Sequence, residues 1–197
     1  MTWQEIHMLD QRLTLAINSW NSPWSDKIWA FFSDIPVWIP LYVLIAGYAC
    51  FRLGWKKGLI VIAAALLTFG FCDQFSNLIK NLVCRIRPLN DGYMISQGLN
   101  ILERGGGYSF FSAHAANVLG LATCTYTGLR EDTRKSYGTY AALIFTWAAL
   151  VSVSRIFVGR HYLGDVLVGA AIGAAAGLAF GLLARAVMKR LPSKKLA

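Results

Sequence analysis

The stretch SRIFVGRHYLGD, Ser154 to Asp165, sets two arginines, a histidine and an aspartate between two apolar runs. His161 and Asp165 are four positions apart, which brings them to one face of a helix. In that register Asp165 can accept the Nδ1 proton of His161 and leave Nε2 free as a nucleophile. A second stretch, SFFSAHAAN, puts Ser112 and His114 at the start of another apolar run. His114 can act as general acid there, since two histidines with unlike neighbours can divide those roles at neutral pH. A third stretch, KNLVCRIRP, contributes Lys80, Arg85 and Arg87. Arginine offers a planar fork of donors and lysine a compact charge, and both suit phosphate. A helix start near Ser112 and His114 adds free backbone N–H groups and the positive end of a dipole. Neither a carboxylate pair nor a Cys/His cluster accompanies these residues, so the expectation is chemistry without a metal or other cofactor.

Something must bring these stretches together, and the composition says what. The 197 residues are 56% hydrophobic and only 15% charged, where a soluble domain would be about a quarter charged. Apolar runs of bilayer length recur, predicting an all-α, polytopic membrane helix bundle formed by one domain over 1–197. Spans are expected over 36–53, 58–83, 112–129, 137–153 and 162–187. Residues 1–35 mix Ile6, Leu9, Leu13 and Ile17 at helical spacing with four tryptophans, as interfacial amphipathic helices do. A sixth crossing by residues 5–30 is the alternative. The core then covers 36–187, and 188–197 is a basic cytoplasmic tail. The opening MTWQEIHMLD lacks the features of a cleavable signal.

Charge orients the bundle. Arg52, Lys56 and Lys57 fall at one side, with Arg130, Arg134, Lys135, Lys189, Arg190, Lys194 and Lys195. The positive-inside rule makes that side cytoplasmic. Lys80, Arg85, Arg87, Arg155 and Arg160 lie on the opposite side and break the rule, for which an anionic ligand is the simplest reason. The net charge of +9 is accounted for in this way and points to no nucleic-acid partner.

At these residues the chain resembles the type 2 phosphatidic acid phosphatase (PAP2) family. Lys80, Arg87 and Pro88 fit its K-x6-R-P element, and Ser154, Arg155, His161 and Asp165 fit S-R-x5-H-x3-D without a gap. The family's P-S-G-H element reads Phe111-Ser112-Ala113-His114 here, with Pro and Gly replaced. The resemblance runs from about Asp73 to Ala170. It implies a haloperoxidase-like helical core and metal-free hydrolysis of a lipid phosphate. His161 would form a phosphohistidine, Asp165 would orient it, and His114 would protonate the leaving oxygen and then activate water. Lys80, Arg87, Arg155, Ser112 and the Ala113 N–H would hold phosphoryl oxygens, with Arg85, Arg160 and Ser154 as possible supporting residues. Such a protein is expected in a bacterial inner membrane, its site facing the periplasm. Undecaprenyl pyrophosphate is the expected substrate, with phosphatidylglycerophosphate, phosphatidic acid or lipid A as alternatives. A lipid transporter is the non-enzyme alternative.

Other features carry less. Gly169, Gly173, Gly177 and Gly181 form a small-residue stripe that can serve packing within the bundle or a homodimer. Asp73 shares a helical face with Asn77 and Lys80, and an intramembrane carboxylate is either functional or the partner of an internal polar group. The glycines of RGGGYS predict a mobile loop over the site, and His7 is expected to be structural.

Overall fold

The computed structural model describes residues 2–191, so Lys194, Lys195 and most of the expected basic tail lie outside the described residues. The helices are α1 (Trp3–Asn18), α2 (Pro23–Ser33), α3 (Ile39–Leu53), α4 (Trp55–Val83), α5 (Gly92–Ser96), α6 (Ala113–Leu129), α7 (Gly138–Phe157) and α8 (Leu163–Lys189). Among the described residues there is no strand.

Local signals set the boundaries. Thr2 and Glu5 close a reciprocal capping box at α1, and Ser22 with Pro23 opens α2. Gly54, at φ 78°, turns the chain between α3 and α4 in a conformation that costs glycine little. Cys84, in left-handed geometry, ends α4 just before the Arg-Ile-Arg-Pro stretch.

Four helical stretches are long and apolar enough to cross a membrane: Ile35–Leu53, Trp55–Ser96, Gly138–Phe157 and Leu163–Lys189. α6, expected from the sequence as a further span, has 17 residues and is the most enclosed. At ~1.5 Å per residue it reaches about 25 Å, close to the hydrocarbon thickness. The outer flanks carry exposed apolar side chains such as Leu44, Leu66 and Leu143, as lipid-facing surfaces do. Helices α1 and α2 have 16 and 11 residues and are separated at residues 19–22. α7 runs four residues past its expected end, so Ser154 and Arg155 belong to its last turn rather than to the following loop.

The inner layer is α6 against α8, and glycine makes it possible. A Cβ on Gly169 would meet the Ser112 carbonyl oxygen at 2.4 Å, one on Gly173 the Ala116 oxygen at 2.0 Å, and one on Gly177 the Gly120 oxygen at 2.3 Å. The stripe is therefore consumed inside the chain. This corrects the homodimer reading, because a surface buried against α6 cannot also receive a second copy. α4 closes on the same pair, with Thr68 over Gly120 and Val61 over Gly128.

The two ends of the bundle differ in charge pattern. At one end Asp132 takes Arg52 at 2.5 Å, Arg134 at 2.8 Å and the Tyr137 hydroxyl at 3.0 Å, while Glu131 lies 3.6 Å from Arg185. The other end gathers the C-terminal ends of α4 and α7 and the N-terminal ends of α6 and α8, which is where the three chemistry-bearing stretches meet.

Candidate active site

His161 sits in the short turn between α7 and α8 and is fully enclosed. Its Nε2 lies 3.2 Å from an Arg87 guanidinium nitrogen. Arginine can only donate, so Nε2 must accept and the neutral ring carries its proton on Nδ1. Nδ1 faces Asp165 Oδ2 at 3.4 Å. That is within ion-pair reach but outside good hydrogen-bond geometry, and Nδ1 has no other partner among the described residues. Such contacts are often loose until the reacting group is bound. Burial pushes the imidazole down to about 4, with Arg155 and Arg87 adding to the shift and Asp165 opposing it. His161 is thus neutral at physiological pH, with its lone pair aimed at a guanidinium.

Asp165 is fixed from several sides. Oδ1 accepts from Arg85 at 2.8 Å, and Oδ2 accepts from the Tyr162 N–H at 3.0 Å and from the Ser109 hydroxyl. Arg85 also reaches Asp10 at 2.7 Å and lies 3.8 Å over the Tyr162 ring. Its place is behind Asp165, as a positioning residue.

The remaining cations surround His161. Lys80, Arg87, Arg155, Arg160, His114 and Ala113 line one cavity of about 570 Å³ together with His161. From this polar end the cavity extends between α3, α4, α6 and α7, past Phe69, Leu121 and Ile45 to Ala49 and Val61. Arg155 is clamped by Glu103, at 3.4 and 3.2 Å, and by Ser33. Arg87 donates to the Gly106 carbonyl at 3.0 Å, and Arg160 to the Arg104 carbonyl at 2.5 Å. The glycine-rich loop expected to hang over the site is therefore tied down onto it, its oxygens resting on the cations.

Two expected contacts are placed otherwise. Ser112 is fully buried, its hydroxyl caps α6 by accepting from Ala115 at 3.4 Å, and its N–H donates to the Asp165 carbonyl at 3.0 Å. It joins α6 to α8 instead of lining the cavity. Ser154 is also enclosed and returns its hydroxyl to the Val151 carbonyl at 2.7 Å, a helical back-bond away from the cations. His7 lies 3.2 Å from Arg85, edge-on to Tyr162, consistent with a structural role.

Sequence reasoning missed Glu103, Ser33, Ser109 and the polar side of α1. That side was readable: Asp10, Thr14 and Asn18 recur at helical spacing, as a counterpart to the apolar positions. Thr14 and Asp10 accept from the Leu163 and Gly164 N–H groups at 2.9 and 2.8 Å, so α1 caps the start of α8 from outside. Asn18 donates to the Asn100 carbonyl in a loop and to the Ile156 and Phe157 carbonyls at the end of α7, and Gln11 binds Asp91 at 2.9 Å. α1 thus buries its polar side against the site and turns Trp3, Ile6, Leu9 and Leu13 outward. Glu103, by contrast, lies in a loop with no periodicity to mark it.

Comparison with known proteins agrees with this geometry. The PAP2 superfamily profile matches residues 54–189. A lipid A 4'-phosphatase from Bacteroides thetaiotaomicron is 35% identical over 188 residues, covering 94% of this chain and 81% of that protein. A lipid A 4'-phosphatase from Porphyromonas gingivalis is 28% identical, covering 84% and 68%. Phosphatidylglycerophosphatase B from Bacillus subtilis is 25% identical, covering 85% and 79%. Among solved structures, a transmembrane PAP2-type phosphatidylglycerolphosphate phosphatase from Bacillus subtilis superposes with TM-score 0.68 at 21% identity, over 97% of this chain and 90% of that one. Aquifex aeolicus LpxE superposes with TM-score 0.63 at 23% identity, over 86% and 92%. The three motifs, the helical bundle and these relatives converge: the chain belongs to the PAP2 superfamily and is a membrane lipid phosphatase.

Proposed function

We propose that the protein removes a phosphate from an acylated amino-sugar lipid of the lipid A type, at the extracytoplasmic face of a bacterial inner membrane. The observation that carries the reading is one cavity with two unlike ends. Lys80, Arg87, Arg155, His114 and His161 ring the polar end, and apolar side chains line the remainder. A phosphate at headgroup depth and a hydrocarbon chain beneath it match that division. The sequence alone put undecaprenyl pyrophosphate first. The similarity to two lipid A 4'-phosphatases favours the alternative, because three motifs that grip a phosphoryl group say little about the lipid carrying it. Phosphatidylglycerophosphate stands second, on the similarity to phosphatidylglycerophosphatase B.

In this mechanism Nε2 of His161 attacks phosphorus in line with the leaving oxygen. The N–P bond forms as the bond to the lipid oxygen breaks, and His114 gives that oxygen a proton. Water then attacks the phosphohistidine, His114 takes its proton, and phosphate leaves with His161 restored. Lys80, Arg87 and Arg155 hold the charge that spreads over the equatorial oxygens, as fixed donors that need little reorganisation. Arg87 shifts its grip from Nε2 to a phosphoryl oxygen as substrate enters. The positive-inside rule supports a cytoplasmic assignment for the Arg52, Lys57 and Arg134 end, and with it a periplasmic position for the polar end of the cavity.

The test is phosphate release by the purified protein from lipid A, phosphatidylglycerophosphate, undecaprenyl pyrophosphate and phosphatidic acid, compared by kcat/KM. Lipid A should lead, and His161→Ala should abolish release from every substrate. A higher kcat/KM on undecaprenyl pyrophosphate, or activity retained by His161→Ala, would overturn the assignment.

A further inference from the structure

Asp73 belongs to neither the phosphate grip nor the core. It lies on α4 seven residues before Lys80, about 10 Å deeper at the ~1.5 Å rise of a helix, and it lines the same cavity. On the opposing helix α6, Asn117 lies one turn below His114 and also lines the cavity. Its Oδ1 is enclosed and has no hydrogen-bond partner among the described residues. No hydrogen bond or ion pair reaches the Asp73 carboxylate among the described residues either, and Lys80 acts on it only through space. The wall beside them is apolar, with Phe69, Val118 and Leu121.

Polar groups at hydrocarbon depth are costly and normally meet a partner. The substrate phosphate cannot be that partner, because it is anionic and held above by Lys80 and the arginines. A plain hydrocarbon chain offers nothing to either group. We propose that Asp73 and Asn117 form a specificity subsite that binds an amide or hydroxyl group of the lipid, on the chain side of the phosphate. Asp73 accepts from the N–H or O–H, and Asn117 supplies an amide that both donates and accepts. An acylated amino sugar with amide-linked, hydroxylated acyl chains presents such groups, and a polyprenyl phosphate has none. The inference rests on the reading of the cavity as the seat of a lipid phosphate and narrows which lipid it prefers.

The experiment measures binding, so it does not depend on turnover. Dissociation constants of the full-length protein in mixed micelles are determined for two lipid monophosphates, an N-acylated, hydroxyacyl glucosamine phosphate and undecaprenyl phosphate. Asp73→Leu and Asn117→Leu should each weaken the amino-sugar lipid about tenfold or more, the range for losing a hydrogen bond to a charged or enclosed group. Undecaprenyl phosphate should change less than twofold. Equal losses for both lipids, as a packing defect or a changed field at Lys80 would give, overturn the proposal, and so does an unchanged affinity for the amino-sugar lipid. Asp73→Asn keeps the side chain's size and is read by the same ratio if the leucine variant does not fold. Phosphate release is scored separately. A wild type that binds both lipids and cleaves neither refutes the hydrolase assignment, while the selectivity ratio still decides this one.

Discussion

An Arg87 guanidinium nitrogen stands 3.2 Å from Nε2 of His161, on the far side of the ring from Asp165. A group that can only donate thus fixes the tautomer. In the proposed mechanism the lone pair of the attacking nitrogen and the first cation to meet the phosphoryl group are one contact.

The protonation of His161 should be visible in a pH profile. Its folded value of about 4 lies below the ordinary 6.5. The neutral, attacking form therefore persists well into acid, and the acid limb of kcat/KM set by His161 should fall about tenfold per pH unit only below about pH 4. The same shift governs stability. Between about 6.5 and 4 the unfolded chain binds a proton that the folded chain refuses. Stability is thus complete above about 6.5 and falls as the pH drops through that window, by at most about 1.4 kcal/mol per unit. Thermal melts of wild type and His161→Gln across pH 4–7 should show the slope in the first and its loss in the second.

In the proposed mechanism Glu103 and the substrate would compete for Arg155. Removing the carboxylate's charge in Glu103→Gln should let inorganic phosphate inhibit several-fold more strongly, read as a lower Ki. Arg155→Ala should lower kcat by ~10²–10³, the cost of losing one fixed donor to developing charge. An unchanged Ki in Glu103→Gln would mean that the carboxylate only steadies the guanidinium.

Gly173 tests the inner seam. A methyl group there meets the Ala116 carbonyl oxygen at 2.0 Å, and backbone cannot step aside as a side chain can. Gly173→Ala should destabilise the protein by ~1–3 kcal/mol and also reduce kcat, since the seam sets the Ser112 N–H to Asp165 carbonyl contact. Gly70, with open space around it, is the matched control and should tolerate alanine far better.

Asp132 tests the distant end. Burial alone would raise its carboxyl, but hydrogen bonds from Arg134, Tyr137 and Arg52 outweigh burial and hold it well below the usual carboxylate range. Asp132→Ala should cost ~1–3 kcal/mol by leaving enclosed donors unmatched. The kcat should be unchanged below the melting transition, because Asp132, Arg52, Arg134 and Tyr137 are not among the residues that line the cavity.

Much of the bundle was legible in the sequence because spans announce themselves by length. All five lie within a few residues of where the apolar runs put them. That Lys80, Arg87 and Arg155 line one cavity was legible for a different reason: cations that break the charge pattern of the loops have few excuses. Ser112 turns its hydroxyl to its own helix, and the spacing that places a hydroxyl on a helix end does not reveal which way it faces. Glu103 was invisible because a loop residue meets Arg155 only through tertiary closure. The α1 pattern was read by its apolar residues, which an interfacial helix turns outward. The polar remainder is what touches the site. The dimer reading of the glycines failed because a small-residue stripe is equally suited to a neighbour within the chain, and here α6 takes it.

The inside-out character of α1 has a practical edge. Its outer flank is greasy, while its inner flank carries Asp10, one of the two anions that Arg85 holds. A detergent that covers this flank keeps the strap in place. One that strips it leaves Arg85 leaning on Asp165 alone, and two preparations of identical purity would then differ in turnover.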